Sequence, residues 1–516
     1  MRLGIDFGTT RTAISIVDRG NFPTVSFHDC DGDLRDHIPT LIALDGDDLV
    51  YGFEAEAAIS VGAPALRSMK RLLSSPALSG RDTIEVGGRT ILLLDVLRGF
   101  FTYVADRLRQ ASTVAPVPLS EPLEAVIGVP AHAHSAQRFF TLEAAKLGGF
   151  TPLFMLNEPS AAGLEYTHRH SGTINSRRTR VLVYDLGGGT FDASLVAVDG
   201  TSHEVLASYG DNLLGGDDFD EVLALLALKH ASEATGRTLA PETIASEEWN
   251  ALVDECRLAK ESLVPQTRWI TISLPSSWEC PPVTIAAGDY YERCVPLIES
   301  TLATMEPLLA QDGDDAMPLG EDVAGLYVVG GASQLPIVSR VLRTTYGRRV
   351  HRSPHSSAST AIGLAIASDP DSPYALVDRL SRGVGVFRER HSGAEVSFDP
   401  LLPRDLRIEG SSGATVTRSY KAVHNIGCFR FVEYSSVDED GTPRGEVLPL
   451  DEVLFPFDAT LQGLSAAELA SHPVRHMDIG VMCQERYSVD ANGIVTVTIT
   501  DLSTGYVLTH SLASRV

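Results

Sequence analysis

Residues 183–195 read VYDLGGGTFDASL, and the order of their parts decides the fold. A β-prone run, Val181–Asp185, ends in an acid. Gly187-Gly188-Gly189-Thr190 then turns the chain, and Phe191–Val198 is a second β-prone run, so the segment reads as a hairpin. The same grammar stands at the start of the chain. There a strand at Leu3–Ile5, the turn Gly8-Thr9-Thr10 and a strand at Thr12–Val17 follow one another. Asp6 and Asp185 each precede their glycine turn by two residues, which points to an internal duplication of one α/β subdomain.

The residue types suit one chemistry. A phosphate needs backbone N–H groups aimed at it, and glycine lets the chain approach closely; threonine hydroxyls add donors. Carboxylates beside such a turn would repel phosphate unless a cation stands between them. Mg²⁺ shared by Asp6, Asp185, water and phosphate is therefore the natural reading, with two facing hairpins clamping a polyphosphate. No Gly-x-x-x-x-Gly-Lys-Ser/Thr run is present, and both turns lead into strands rather than helices. P-loop and dinucleotide readings fail on that ground.

Between and after the hairpins lie helical patterns. Leu94, Leu97, Phe101, Val104, Ala105 and Leu108 share one face, Ser135–Leu147 is stopped by Gly148-Gly149, and a helix near Asp254–Leu263 carries Lys260. Gly325–Val329 reads as a strand, Gly330-Gly331 as a turn and Pro336–Tyr346 as a helix. The stretch around Asp369–Pro373 looks like a linker, and beyond it short β runs dominate: Gly383–Arg388, Thr415–Ala422, Cys428–Glu433, Ile479–Gln484 and Ile494–Thr500. Asn492-Gly493 is a hairpin signal, and Leu464–Ser471 is the one short helix expected there. This part reads as a small all-β sandwich.

At 516 residues the chain is too long for one core, and its composition is that of a soluble globular protein. A formal net charge of −25 argues against nucleic acid or an anionic membrane surface as partner. With no leader-like start and no apolar span, a cytoplasmic location is expected. The six cysteines, without a Cys-x-x-Cys pair, are expected to be reduced and mostly buried. His132 and His134 lack a third zinc ligand and are read as loop residues, as are His28 and Cys30. Asp312, Asp314 and Asp315 lack calcium-loop spacing and read as a solvated turn.

Six segments bring a resemblance into view: LGIDFGTT (3–10), VIGVPAHAHSAQR (126–138), NEPSAAGLEY (157–166), VYDLGGGTFDASL (183–195), GDNLLGGDDFD (210–220) and VGGASQLP (329–336). They occur in the order found in the DnaK-type heat-shock chaperones. YSVDANGIVTVTITDLSTG (487–505) resembles the end of that family's peptide-binding sandwich. The resemblance implies an actin-like ATPase, duplicated α/β subdomains in two lobes around a nucleotide cleft, over residues 1–368. A linker at 369–381 and a β-sandwich peptide-binding-like domain at 382–516 would follow. It implies ATP or ADP with Mg²⁺ as ligands, and hydrolysis of ATP to gate the binding of unfolded or extended polypeptide.

Carried over by position, Gly8, Thr9, Thr10, Gly187, Gly188, Gly189 and Thr190 would hold the phosphates. Asp6 and Asp185 would hold Mg²⁺, largely through water. Lys70 matches the family's catalytic lysine, its charge offsetting that of the transition state. Glu158, Asp185, Thr190 and Asp192 would orient metal and water. Gly216, Lys260, Gly330, Gly331 and Ala332 would contact the nucleoside side, and Pro130 and Arg138 would relay nucleotide state between domains.

Departures accompany the match. Ala332 and Gln334 replace a usual serine and arginine, Glu261 and Val264 stand where many members have arginine and serine, and Arg11 follows Thr-Thr. Phe154 replaces a basic residue that serves J-domain partners, which weakens the expectation of such a co-chaperone beside a nucleotide-exchange factor. Leu376-Val377-Asp378-Arg379-Leu380 stands for the usual linker, and no helical lid is expected after the sandwich, so client binding should be short-lived. The altered linker, Phe154 and the expected lack of a lid favour an alternative, a nucleotide-gated binding module for one dedicated partner with little turnover. The retained Lys70, Glu158, Asp185 and Asp192 favour catalysis. A small-molecule kinase of the same fold would need a substrate insertion and a base in the cleft, and the C-terminal β domain argues against it.

Overall fold

A computed structural model describes all residues except 76–77, 132, 310–318, 381, 391–394, 405, 410–413, 439 and 513–516. The first hairpin is β1 (Arg2–Phe7) and β2 (Arg11–Ile16), and β3 (Ile38–Pro39) pairs antiparallel with β2. After the four-residue helix α1 (Met69–Leu72) and the long α2 (Leu93–Gln110) come β4 (Glu124–Val129), α3 (Ser135–Leu147) and β5 (Thr151–Asn157). The first sheet has the order β5-β4-β1-β2-β3, with β4 parallel to both β1 and β5.

Helix α4 (Glu158–His170) leads to the second hairpin, β6 (Arg180–Leu186) and β7 (Phe191–Asp199), continued by β8 (Ser202–Asp211). Helices α5 (Gly216–Thr235) and α6 (Ser246–Glu261) follow, then β9 (Val323–Val329), α7 (Pro336–Tyr346), β10 (Val350–Arg352) and α8 (Ser359–Ser368). The second sheet runs β10-β9-β6-β7-β8 before two further strands join it. β9 is parallel to β6 and β10, and β7 is antiparallel to both β6 and β8. Strand order and sense repeat the first sheet, so the duplication inferred from two short motifs extends to five strands each.

Two helices lie between the sheets. α8 packs on the first, where a Cβ at Gly4 would stand 2.2 Å from Ala365 N. Ala162 and Tyr166 of α4 share a buried cluster with Val181, Val183 and Val196 of the second. The helices meet at Gly363, where a Cβ would stand 1.8 Å from Ala161 O. Only glycine permits that approach of backbone to backbone.

β11 (Ala375–Arg379) pairs parallel with β8, and β14 (Arg407–Glu409) pairs antiparallel with β11 at the sheet edge. Residues 375–379, expected within a linker, are thus strand: the unpaired edge of β8 gives their backbone groups ladder partners. Beyond them, β12 (Gly383–Arg390) and β13 (Glu395–Leu402) belong to one four-stranded sheet with β16 (Ile426–Val437) and β17 (Pro443–Pro456). β15 (Ala414–His424), β18 (His476–Val489), β19 (Val495–Asp501) and β20 (Val507–Ser511) form another. Both contribute to one apolar core, including Val386, Phe431 and Phe455 from the first and Tyr487, Val497 and Ile499 from the second. The short helix lies at Ala466–Ser471, held by a Ser465–Glu468 capping box. Among the described residues no helix is long and apolar enough to cross a membrane.

Gly363→Ala should destabilise the protein by about 2 kcal/mol or more, because a backbone carbonyl cannot yield to the added methyl. Gly288→Ala, whose Cβ meets nothing within 4 Å, should not. Equal thermal midpoints for the two variants would contradict the close crossing. A second expectation concerns His203 on β8, fully buried, its Nε2 2.9 Å from Thr167 Oγ1 of α4. Burial lowers its pKa to about 4. Between the unfolded value of about 6.5 and that value the unfolded chain binds the extra proton, so stability present above pH 6.5 is lost on acidification, by up to about 3 kcal/mol. His203→Gln should flatten this part of the stability profile in denaturant titrations; an unchanged slope would rule out the contribution.

Candidate functional site

The two hairpin turns are built alike. Gly8 N–H donates to Arg11 O at 3.1 Å, and Gly187 N–H donates to Thr190 O at 2.9 Å. They also touch each other: a Cβ on Gly188 would lie 2.4 Å from Thr10 Oγ1, and one on Gly189 2.6 Å from Thr9 Cγ2. The carbonyls of Gly187 and Gly188 accept from the first N–H groups of α5, Gly216 N at 2.9 Å and Asp217 N at 2.7 Å. Among the described residues, the N–H groups of Thr9, Thr10, Gly188 and Gly189 have no acceptor. Four clustered donors without partners are an anion-binding feature.

A cavity of about 970 Å³ opens against these turns, lined on its floor by Asp6, Lys70, Glu158 and Asp185. Hairpin pairing places Asp192 opposite Asp185, whereas Ala13 stands opposite Asp6. Lys70 Nζ donates to Glu158 Oε1 at 2.5 Å, and both side chains are buried. Four carboxylates therefore share one ammonium. Burial, then the Glu158 charge, pushes Asp6 well above the usual carboxylate range, Asp185 to about 8 and Asp192 to about 7. Burial acts to lower the Lys70 pKa, but Glu158 and then Asp6 outweigh it and hold the ammonium above its ordinary range. Asp192 Oδ1 is buried without a hydrogen-bond partner. The floor has a surplus of anionic groups that a cation would relieve.

The nucleoside-side residues line the same cavity. Lys260 Nζ donates to Gly216 O at 2.7 Å and pairs with Asp220 at 2.7 Å. Gly330 has φ +87°, and a Cβ there would stand 2.4 Å from Asp185 Oδ1, so glycine is required for the turn to pass the acid. Gly331 and Ala332 follow it along the wall. The departing residues Arg11 and Glu261 form an ion pair with each other, across from the first hairpin to the end of α6. Neither residue alone signals this in the sequence; only the fold brings them together.

Arg138 and Pro130 lie away from the cavity. Arg138 on α3 donates to Asn157 Oδ1 at 2.6 Å, beside Glu158, and to Asn492 O at 3.2 Å in the C-terminal part. Pro130 precedes Ala131, whose backbone hydrogen-bonds Asp192. His134, expected in a solvated loop, is buried, because Glu433 accepts from Ser135 N at 3.0 Å and from its hydroxyl at 2.6 Å and covers the start of α3. His132 and the acids Asp312, Asp314 and Asp315 lie outside the described residues. His28 and Cys30 are both exposed, and all six cysteines are free. Three of these, Cys256, Cys294 and Cys483, are buried.

The chain is similar to known proteins over most of its length. The chain is 27% identical over 523 residues to a chaperone protein HscA homolog of Shewanella denitrificans, covering 98% of the chain and 77% of that protein. The chaperone protein HscA of Escherichia fergusonii is likewise 27% identical, over 97% of the chain and 76% of its own length. An HscA homolog of Colwellia psychrerythraea is 31% identical over 432 residues, 78% of the chain and 64% of that protein. A family model described as Hsp70 protein matches residues 105–380, more than half of the chain. The chain belongs to the Hsp70 family.

Proposed function

We propose that the cavity is the nucleotide cleft of an actin-like ATPase core over residues 1–368, with one lobe built on each repeated sheet. Residues 369–381 would serve as the linker and 382–516 as a β-sandwich that binds peptide. The chain is an ATP-dependent chaperone and an ATP hydrolase. A gated binding module with little turnover is the less favoured reading. The observation that carries the assignment is the meeting of unengaged turn N–H groups with one buried lysine among four carboxylates, of which Glu158 and Asp192 are buried.

The donor set fits ATP and a divalent cation. Thr9, Thr10, Gly188 and Gly189 would give N–H groups to phosphate oxygens, with the Thr9, Thr10 and Thr190 hydroxyls beside them. Gly8 and Gly187 allow the close turns. Asp6 and Asp185 would hold Mg²⁺, largely through water, since among the described residues no three acid, histidine or cysteine side chains converge as direct ligands. The unpartnered Asp192 Oδ1 supports a cation at this floor. Once bound, Mg²⁺ neutralises phosphate charge.

Lys70, fixed by Glu158, keeps a full positive charge where negative charge grows on the transferring phosphoryl group. Asp192 and Thr190 orient the attacking water through the oxygen atoms they leave free. Phosphoryl transfer to water asks chiefly for positioning and charge compensation, and this set supplies both. On the nucleoside side, Gly216, Lys260, Gly330, Gly331 and Ala332 form the wall, while Gln334, Glu261 and Val264 change the usual base contacts. Arg138 would carry nucleotide state from Asn157, next to Glu158, to Asn492, with Pro130 moving alongside. Unfolded or extended polypeptide is the client class. An exchange factor and a J-domain partner, the latter disfavoured by Phe154, would complete the cycle.

Lys70→Ala should lower ATP hydrolysis about 10³-fold, the scale of losing one preorganised electrostatic group, with ATP still bound. Steady-state turnover with an unfolded client present checks it. Undiminished turnover in the variant would remove Lys70 from the chemistry.

A further inference from the structure

Lys70 sits in α1, a helix of four residues. A helix that short has no stability of its own and takes its place from what it touches. On one side, Met69 and Leu73 are fully buried in the apolar core under the first sheet. That anchor holds α1 to the first lobe. The residues flanking Lys70 make their hydrogen bonds and ion pairs across the cavity.

Three residues flanking Lys70 reach across to α5 and α6, whose buried side chains Phe219, Leu223, Leu252 and Cys256 belong to the core of the second sheet. Arg67 forms an ion pair with Asp254 of α6. Ser68 Oγ donates to Asp217 Oδ2 at 3.0 Å. Arg71 Nε donates to Gly189 O at 3.1 Å, and its Nη2 lies 3.4 Å from Asp218 and 3.8 Å from Asp217. Ser68, the residue before the helix, is held at φ +54° and ψ 38°, a left-handed conformation that a serine adopts only when its surroundings impose it. The contacts at 67, 68 and 71 bracket Lys70 on both sides. Arg67 and Ser68 precede the helix and Arg71 lies within it, so the cross-cavity contacts come from both sides of Lys70, while Met69 and Leu73 are buried in the core.

We propose that Arg67, Ser68 and Arg71 are positioning residues that make the placement of Lys70 depend on the two lobes being drawn together. With the cavity closed, the second lobe fixes the start and the outer face of α1, and Lys70 is delivered to Glu158 and the phosphates. With it open, α1 keeps only its core anchor, and the lysine loses half of its constraints. Hydrolysis is thereby confined to the closed form. The Arg11–Glu261 pair spans the same gap but touches neither Lys70 nor α1, so it is no part of this device. The inference rests on the reading of Lys70 as the hydrolytic lysine.

Single-turnover hydrolysis of preloaded ATP, with equilibrium ATP affinity measured in parallel, tests it on the full chain. Wild type would be compared with Arg67→Ala, Asp254→Ala, the double variant, Arg67→Lys and Lys70→Ala. Arg67 and Asp254 are partly exposed, so their truncation opens no core, and thermal midpoints check that each variant is folded. Each single alanine variant should slow the hydrolytic step about tenfold or more, while ATP affinity stays within about threefold of wild type. The double variant should be no slower than the slower single one, as for partners acting through one contact. Arg67→Lys should recover part of the rate. Wild-type rates in the single variants would overturn the inference, as would parallel losses of rate and affinity or multiplicative losses in the double variant. Lys70→Ala at the wild-type rate would instead remove the reading beneath it.

Discussion

The close crossing of α4 and α8 sets the distance between the two repeated sheets, and everything at the cavity follows from that distance. Gly4 against Ala365 and Gly363 against Ala161 bring the first sheet, α8 and α4 into backbone contact, and the apolar side chains of α4 then pack on the second sheet. Any wider spacing would part the two hairpin turns, which meet through Gly188 with Thr10 and Gly189 with Thr9. The same crossing places Glu158. It is the first residue of α4, so the helix that separates the sheets also brings the Lys70 partner to the cavity floor.

At that floor the physics is electrostatic. Four clustered carboxylates near one ammonium cannot all ionise at ordinary cost in a low-dielectric setting, and the raised pKa values of Asp6, Asp185 and Asp192 express that strain. Such an arrangement is poor for stability and suited to taking up positive charge together with phosphate. The turns complement it. The Gly187 and Gly188 carbonyls of the second turn are engaged by α5, and the N–H groups of Thr9, Thr10, Gly188 and Gly189 are left for an anion. Cation and anion sites thus adjoin, as a metal–polyphosphate ligand requires.

Much of this was legible because it is local. Each hairpin carries its acid, its glycines and its alternating apolar residues within about a dozen positions, and the repeat of that unit foretold the repeated sheet. The helices at 135–147 and 336–346 were bounded by their own stop signals and proline. What stayed hidden depends on residues far apart in the chain. Arg67 and Asp254, Arg71 and Asp218, or Ser135 and Glu433 are unremarkable charges and hydroxyls until the fold joins them. Strand β11 was hidden for a related reason: its short run resembles a linker, and the exposed edge of β8 makes it a strand. His134 looked like a loop residue because the part of the chain that buries it lies about three hundred positions away.

The central claim is that the carboxylate-rich floor accepts nucleotide only together with a divalent cation. Equilibrium ATP binding with Mg²⁺ present and with the metal chelated tests it most directly, in wild type and in the Asp6→Asn/Asp185→Asn variant. The account predicts that chelation weakens wild-type binding about tenfold or more, as expected when buried like charges lose their counter-ion, and that the double substitution narrows this difference. Equal wild-type affinity with and without the metal would contradict it.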